Sequence, residues 1–319
     1  MTEHFSVMLD EVVGALSPKD GEVYVDGTFG AGGYSRAFLD AADCTVIAID
    51  RDPAAVERAD VLKKDYPERF IFIRGCFGDA LELVHKAGFE KVDGFVLDVG
   101  VSSMQIDQPD RGFSFRFDGP LDMRMDNASG QSAADIVATY EEEDLANLIY
   151  KYGDERLSRR IAKRIVRERS EEAIETTERL ANIVRAVVPR SPKDKNDPAT
   201  RTFQALRIAV SDELGELERA MLAAEKLLND QGRLVVVSFH SLEDGIVKAF
   251  FYERSGRVSN QSRHMPVMPV SSSNLPTFSL PYRKAKDPSD SEIQKNFRSR
   301  SAKLRLAVRN DNRAWEGGA

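Results

Sequence analysis

Residues Asp26 to Ser35 read Asp-Gly-Thr-Phe-Gly-Ala-Gly-Gly-Tyr-Ser, directly after the short run Glu22-Val23-Tyr24-Val25, and a second strand-like run, Thr45 to Ile49, ends on Asp50. A glycine-dense turn between a strand and a helix lets the backbone approach a ligand closely, because glycine tolerates positive φ and carries no Cβ to clash. An acid at the end of the next strand is placed to accept hydrogen bonds from a ribose. The pair of signals predicts a doubly wound α/β sheet holding an adenosine-containing cofactor. A glycine-rich turn with no ligand at all is the plainer alternative.

The order of the glycines narrows the cofactor. A dinucleotide fingerprint needs Gly-x-Gly-x-x-Gly to seat a pyrophosphate on a helix N-terminus, whereas here Asp26 opens the turn and the glycines fall at Gly27, Gly30, Gly32 and Gly33. A carboxylate there repels a pyrophosphate and suits the cationic amino-acid end of S-adenosylmethionine. An NAD-dependent oxidoreductase would account for the glycines but not for Asp26.

The first hundred residues alternate strand and helix: Val23–Val25, a helix from Arg36, Val46–Asp50, a helix from Pro53, Phe70–Arg74, a helix from Asp79, then Gly94–Val99. Such alternation predicts a parallel sheet with helices on both faces and ligands at the C-terminal strand ends. The pattern stops near Asp107. Up to Phe203 the sequence offers helices only, at Ala133–Tyr150, Glu155–Arg169 and Thr177–Val187. A helix over Ala205–Leu228 then leads into the β-branched run Gly232–Ser238, and Lys303–Arg309 alternates as a last strand. The expected organisation is a first sheet-forming part over 1–106, an all-helical insertion over 107–204, and a second sheet-forming part over 205–319. Residues 255–295, rich in Ser and Pro, are expected to form a long flexible loop.

The chain has 319 residues and a formal charge of −7 that conceals a split. Residues 1–150 carry 13 Lys/Arg against 29 Asp/Glu, a balance of −16, and residues 151–319 carry 32 against 23, a balance of +9. Asymmetry of this kind points to a polyanion. Locally, Arg156, Arg159, Arg160, Lys163, Arg164 and Arg167 recur at helical spacing beside a separate ridge of Leu157, Ile161 and Ile165. A stripe of bases costs self-repulsion that phosphates would relieve; a solvated helix face is the competing reading. No apolar run approaches the roughly 20 residues of a membrane span, Cys44 and Cys76 make no Cys-x-x-Cys, and no His/Cys cluster suggests a metal. The expected compartment is the cytoplasm.

Four further blocks bear on the family: Gly94-Phe-Val-Leu-Asp98-Val-Gly-Val-Ser-Ser-Met-Gln105, the loop Arg111 to Met125, Asp197-Pro-Ala-Thr-Arg201 to Arg207, and Val237-Ser-Phe-His240-Ser-Leu-Glu-Asp244. With the glycine turn they closely resemble the bacterial 16S ribosomal RNA (cytosine-N4) methyltransferases of the RsmH/MraW family, from Asp10 to about Arg309. The resemblance implies a class I S-adenosylmethionine-dependent fold with an inserted helical domain, acting on the exocyclic amine of a decoding-region cytidine of 16S ribosomal RNA, within the small subunit. It places cofactor contacts on Gly32, Gly33, Tyr34, Asp50 (ribose), Phe77 (adenine), Asp98 and Gln105. Tyr34 stands where the family often has His, and Gly245 where Arg is frequent. The first departure touches a side-chain role at that position and the second an RNA or acid contact.

Candidate chemistry follows from the reaction. The cytosine N4 lone pair is delocalised, so methyl transfer needs in-line placement and an acceptor for the departing proton. Many amino-methyltransferases carry Asp/Asn-Pro-Pro-Tyr/Phe after the fourth strand, and this chain has Asp98-Val-Gly-Val-Ser-Ser instead. Asp98, or a carbonyl near it with Ser102 or Ser103, is the candidate acceptor, and His240 the candidate base contact. Arg111, Arg124, Arg156, Arg160, Lys163 and Arg201 are the candidate RNA contacts, with Phe113, Phe115 and Phe117 available either for packing or for base stacking. Phe77 and His240 also read as ordinary core residues, Asp98 as a loop cap and Arg201 as a structural arginine. A DNA amino-methyltransferase and a non-catalytic RNA-binding module remain alternatives. The oligomeric state, a homodimer included, is left open.

Overall fold

The computed structural model describes residues 6–128, 130–189, 197–257 and 275–316. The chain separates into two compact units, one made of residues 1–100 with 214–319 and the other of 101–213.

Among the described residues the first unit has seven strands: β1 (Val23–Asp26), β2 (Thr45–Asp50), β3 (Phe70–Arg74), β4 (Val92–Asp98), β5 (Leu228–Ser238), β6 (Phe278–Ser279) and β7 (Lys303–Arg309). Their order is β3-β2-β1-β4-β5-β7-β6. The first five strands in that order pair in parallel, and β7 runs antiparallel to β5 and β6. This is the class I methyltransferase arrangement. Order reverses between β1 and β4, so the crevice where such sheets bind ligands lies at the C-terminal ends of those two strands.

Alternation along the strands explains why the sheet is covered on both faces. Val46, Ala48, Val96, Val235 and Val237 belong to one buried cluster, while Ile47, Ile49, Phe95, Leu97, Leu234 and Val236 belong to another. Successive side chains of a strand point to opposite faces, so near-continuous apolar runs fill two layers at once. Phe38 and Leu39 of the Gly33–Ala41 helix and Leu62 of the Ala54–Asp65 helix seal the first layer. Leu217 and Met221 of the Glu213–Leu227 helix and Phe250 and Phe251 of the Ser241–Arg254 helix seal the second. Full burial of each such side chain is worth about 1.5–3 kcal/mol.

The 101–213 unit is helical, with helices at Ala133–Thr139, Glu142–Gly153, Ser158–Glu171, Thr177–Val187 and Thr200–Ser211. Its core includes Ile136, Leu145, Ile149, Ile161, Ile165, Leu180, Val184 and Leu206. Among the described residues it holds no strand, only an isolated bridge between Pro120 and Thr176.

Several element boundaries differ from those expected. The stretch Ala133–Tyr150 is two helices, because Tyr140 takes an extended conformation and the acids from Glu142 to Asp144 open a new N-terminus, where negative charge is favoured. The stretch expected as one helix over Ala205–Leu228 is broken at Asp212, whose φ of 48° is left-handed. The short Leu9–Leu16 helix, which buries Val12, Ala15 and Leu16, carries no strong sequence signal. The expected loop over 255–295 is corrected in part: β6 pairs with β7 there, and Asp290–Lys295 is helical with Ser289 accepting from Glu292 N. Met265 to Pro269 and Ser271 to Ser273 lie outside the described residues.

Candidate cofactor and RNA site

The glycine turn is held by a ladder of short contacts. Gly27 N donates to Val96 O at 2.9 Å, Phe29 N to Ile49 O at 3.0 Å and Gly32 N to Phe29 O at 2.7 Å. Gly32, at φ 80°, caps the helix that follows, and a Cβ there would stand 2.8 Å from the Phe29 ring. A side chain at this position would force the ring or the turn to move. Gly33 presents its backbone at the helix start, and a Cβ there would meet Ser6 Oγ at 1.9 Å.

Asp50, at the end of β2, accepts Gly30 N at 2.8 Å on one oxygen and Asp52 N at 2.8 Å on the other. Each oxygen keeps a lone pair, so the carboxylate pins the turn and retains capacity for a ribose hydroxyl. Burial raises its pKa against these backbone donors. Asp26, by contrast, is fully buried. Its carboxylate accepts Thr28 N at 3.2 Å and Ser35 Oγ at 2.7 Å. Burial pushes it up to about 6. Its pull on a cationic ligand group therefore acts through space, and its contacts serve the turn.

Asp98 closes β4, beside β5 in register with Val237. Thr28 Oγ1 accepts its backbone N–H at 2.7 Å, tying the strand end to the glycine turn. Its Oδ1 is buried with no hydrogen-bond partner. Its pKa is raised well above the ordinary carboxylate value, first by burial and then by the charges of Asp26 and Glu243. A buried oxygen without a donor is costly unless a ligand supplies one. The glycine cradle and the spare lone pairs of Asp50 fit the polar groups of S-adenosylmethionine, and the Asp98 oxygen has room for one further donor. Phe77 begins a short 3-10 turn after β3 and is only partly buried, packed on the second sheet layer. Its ring is thus available to flank a planar base.

Tyr34 turns inward. It is 3% exposed, lies parallel to Phe38 with ring centroids 6.5 Å apart, and its hydroxyl donates to Val7 O. Any ligand contact at this position is a backbone contact. Gly245 is the fifth residue of the Ser241–Arg254 helix, with open space where a Cβ would be.

His240 caps that same helix. Its Nδ1 accepts Glu243 N at 3.4 Å, while Glu243 accepts Phe239 N at 2.8 Å and His240 N at 3.2 Å. The arrangement is a capping box, and the spacing His240-Ser-Leu-Glu243 was its sequence signal. His240 Nε2 and Glu243 Oε1 stand 2.8 Å apart. Sequence reading passed over Glu243, which is 1% exposed and raises the Asp98 pKa. It also passed over Thr28, whose hydroxyl positions the Asp98 backbone.

Gln105 belongs to the helical unit. Its Oε1 accepts Ser102 N at 3.0 Å while Ser102 Oγ accepts Gln105 N at 3.2 Å, a second capping box at the Ser103–Asp107 helix. Of the paired candidates Ser102 and Ser103, Ser102 is this cap, and the Ser103 side chain lies outside the described residues. The loop arginines have internal work: Arg111 donates to Arg124 O at 3.2 Å and Met125 O at 2.7 Å, and Arg124 grips Asp122 at 2.7 and 3.0 Å. Phe113 is buried and Phe115 meets Phe203 edge-on at 4.8 Å, so both pack inside the unit; Phe117 is 67% exposed. Arg201 donates to Asp154 O at 3.0 Å from an exposed position.

Counted on the two units, the charge split of the sequence halves dissolves, with 27 Lys/Arg against 31 Asp/Glu in the strand unit and 18 against 21 in the helical unit. The basic stripe survives as a local feature. Ile161, Ala162 and Ile165 of the Ser158–Glu171 helix are buried, while Arg156, Arg159, Arg160 and Lys163 are exposed. Glu168 takes up Arg164 at 2.6 Å and Arg167 at 3.2 Å. Among the described residues no acid pairs with the other four.

Comparison with known proteins gives a consistent set of matches. A family model described as the MraW methylase family matches residues 1–310. The chain is 57% identical over 313 residues to the "Ribosomal RNA small subunit methyltransferase H" of Paramagnetospirillum magneticum, covering 98% of each chain. It is 54% identical over 317 residues to the protein of that name in Rhodospirillum rubrum, covering 99% of this chain and 97% of that one. Among solved structures, an rRNA methylase from Streptococcus thermophilus matches with a TM-score of 0.41 and 10% identity over 95% of this chain and 94% of that one. That likeness adds nothing to the strand order.

Proposed function

The chain belongs to the MraW methylase family, and from that premise we propose that it transfers a methyl group to the N4 amine of a cytidine in the decoding region of 16S ribosomal RNA, within the small subunit, in the cytoplasm. The methyl donor is S-adenosylmethionine. The ribosomal substrate rests on one observation above the others, the near full-length identity with relatives named ribosomal RNA small subunit methyltransferase H. The choice of an exocyclic amine rests on the family resemblance and on the site's own carboxylate.

S-Adenosylmethionine supplies an electrophilic methyl on a sulfonium when bound. Gly32 and Gly33 bring backbone to its amino-acid end, Asp50 receives the ribose and Phe77 flanks the adenine. Asp98 then stands at the switch-point crevice with an oxygen lacking a donor. An amine N–H of the target base satisfies that oxygen and is thereby aimed, and a carboxylate with a raised pKa accepts the proton more readily as the amine becomes cationic. Alignment supplies the larger share, with effective molarities of roughly 10⁵ M or more in good cases, and the proton acceptor about 10²–10⁴. His240 holds the start of the Ser241–Arg254 helix with both ring nitrogens toward Glu243, and the base contact assigned to it uses the ring face. The 101–213 unit, with Arg156, Arg159, Arg160 and Lys163 exposed, serves as the substrate-recognition part. The target must leave its stack to be reached, a cost of a few kcal/mol that RNA contacts offset.

The test is nucleoside mass mapping of small-subunit RNA incubated with the protein and labelled S-adenosylmethionine. One methyl on N4 of a decoding-region cytidine is the expected product. A methyl on the ribose, on carbon 5 or on another nucleoside overturns the assignment of the amine, and label on DNA in preference to ribosomal RNA overturns the substrate.

A further inference from the structure

The basic stripe of the helical unit is not the only cationic surface. On the strand unit, β6 pairs with the far end of β7, Ser279 opposite Val308. The chain then climbs the outer edge of β7 until Lys286 and Leu304 exchange backbone hydrogen bonds of 2.9 Å in each direction. Leu304 lies opposite Val237 and Lys303 opposite Ser238, two residues before His240. The segment therefore runs from the base of the sheet toward the end that carries Asp98 and His240.

Its side chains form one side of a groove. Tyr282, 45% exposed, lies under Lys286 Nζ, which is 4.4 Å from its ring centroid, and Arg283 and Lys284 are exposed beside it. The Ser241–Arg254 helix supplies the other side: Lys248 Nζ stands 5.6 Å from the Tyr252 ring centroid, and the Tyr252 hydroxyl donates to Arg283 O at 3.5 Å. Among the described residues no acid pairs with Lys248, Arg283, Lys284 or Lys286. The neighbouring acids are already engaged, Asp244 with Arg305 at 2.7 Å and Asp287 with Lys303 at 3.2 Å.

Uncompensated cations with an exposed aromatic ring among them match the chemistry of single-stranded RNA, phosphates on the bases and a nucleobase on the ring. We propose that this groove is a second RNA track, separate from the basic stripe, that guides the strand along the outer edge of the sheet to the catalytic end. The inference rests on the reading of the substrate as ribosomal RNA.

The full chain carrying Lys248→Gln, Arg283→Gln and Lys284→Gln together is compared with the unaltered protein for affinity to small-subunit ribosomal RNA over a salt series. Each phosphate contact removed lowers the log–log salt slope by about 0.7 on single strands, so the slope should fall by about 2 and affinity by about tenfold or more at low salt. Tyr282→Ala should weaken binding about five- to 150-fold with the slope unchanged, as loss of one stacked base does. S-Adenosylmethionine affinity should stay the same in both. Should the triple variant unfold early, Lys284→Gln alone should lower the slope by about 0.7, with Lys284→Arg restoring it.

Unchanged RNA affinity and slope in variants of a protein that methylates ribosomal RNA overturns the track and leaves the substrate reading intact. Failure of the unaltered protein to methylate ribosomal RNA overturns that reading, and the track with it. A change confined to the protein's own mass in light scattering assigns the groove to a second copy of the chain and overturns the RNA occupant.

Discussion

At the scale of single residues, Asp98 carries the sharpest expectation, because its buried Oδ1 lacks a donor and its pKa is raised by burial and by Asp26 and Glu243. Asp98→Asn keeps size and loses basicity. In single-turnover methyl transfer at saturating cofactor the variant should be slower by about 10²–10⁴, the usual worth of a positioned proton acceptor. A normal rate would reduce Asp98 to a cofactor contact. Asp26 gives a stability expectation of the opposite character. Its folded pKa of about 6 lies above the value near 3.9 of an unfolded chain. A raised carboxylate favours the folded state most below the unfolded pKa, and that stabilisation is lost as pH rises through the folded one. Between pH 4 and pH 7 the protein should therefore lose roughly 2–3 kcal/mol relative to Asp26→Asn, measured by urea unfolding of both. A constant difference across that range would show that the Ser35 and Thr28 hydrogen bonds fully offset burial. Asp26, Asp50 and Asp98 were legible in the sequence, since each ends a strand. The inward turn of Asp26 was not, because its buried partner Ser35 lies nine residues on, in the helix beyond the glycine turn. Tyr34 shows the same limit: its position follows from the motif, and its orientation follows from Phe38 and Val7.

At the scale of elements, the Ser158–Glu171 helix divides its residues cleanly. Ile161 and Ile165 anchor one side, and spacing alone revealed them, since three- and four-residue steps return to one face. The effective charge was less legible, because Glu168 lies one residue past the stripe and absorbs Arg164 and Arg167. Arg156, Arg159, Arg160 and Lys163 are the cations left for phosphates. Replacing Arg160 and Lys163 by Gln should lower affinity for small-subunit RNA and flatten the salt slope by about 0.7–0.9 for each phosphate lost, with cofactor affinity unchanged. If affinity and slope both hold, the stripe is a solvated face. The loop from Arg111 to Met125 would not replace it easily, for Arg111 and Arg124 spend their donors on the loop's own carbonyls and on Asp122. Its glycine at position 112 shows how tight that loop is: φ is 72°, and a Cβ would lie 2.2 Å from Pro120 O.

At the scale of the molecule, alternation of strand and helix was enough to read a doubly wound sheet, and the loss of alternation near Asp107 was enough to read a helical interruption. The sequence was silent where tertiary context decides, as in the two-residue β6, which exists only because β7 offers it an edge, and at Asp212, where a left-handed residue ends one helix before the next begins. The buried clusters give this division physical content. Two clusters draw only on residues of the strand unit, and the third draws only on residues between Val101 and Val210. A unit that fills its own core needs no borrowed apolar surface to fold. Residues 101–213 expressed alone should therefore unfold in one cooperative urea transition, with a slope of about 1–3 kcal/mol per M as expected for a small domain. The same fragment should bind small-subunit RNA with a salt slope that falls when Arg160 and Lys163 are replaced, while showing no affinity for S-adenosylmethionine. A gradual, non-cooperative transition would mean that the helical core depends on the sheet after all. The helical insertion would then be an extension of the methyltransferase unit rather than a domain that carries its own recognition surface.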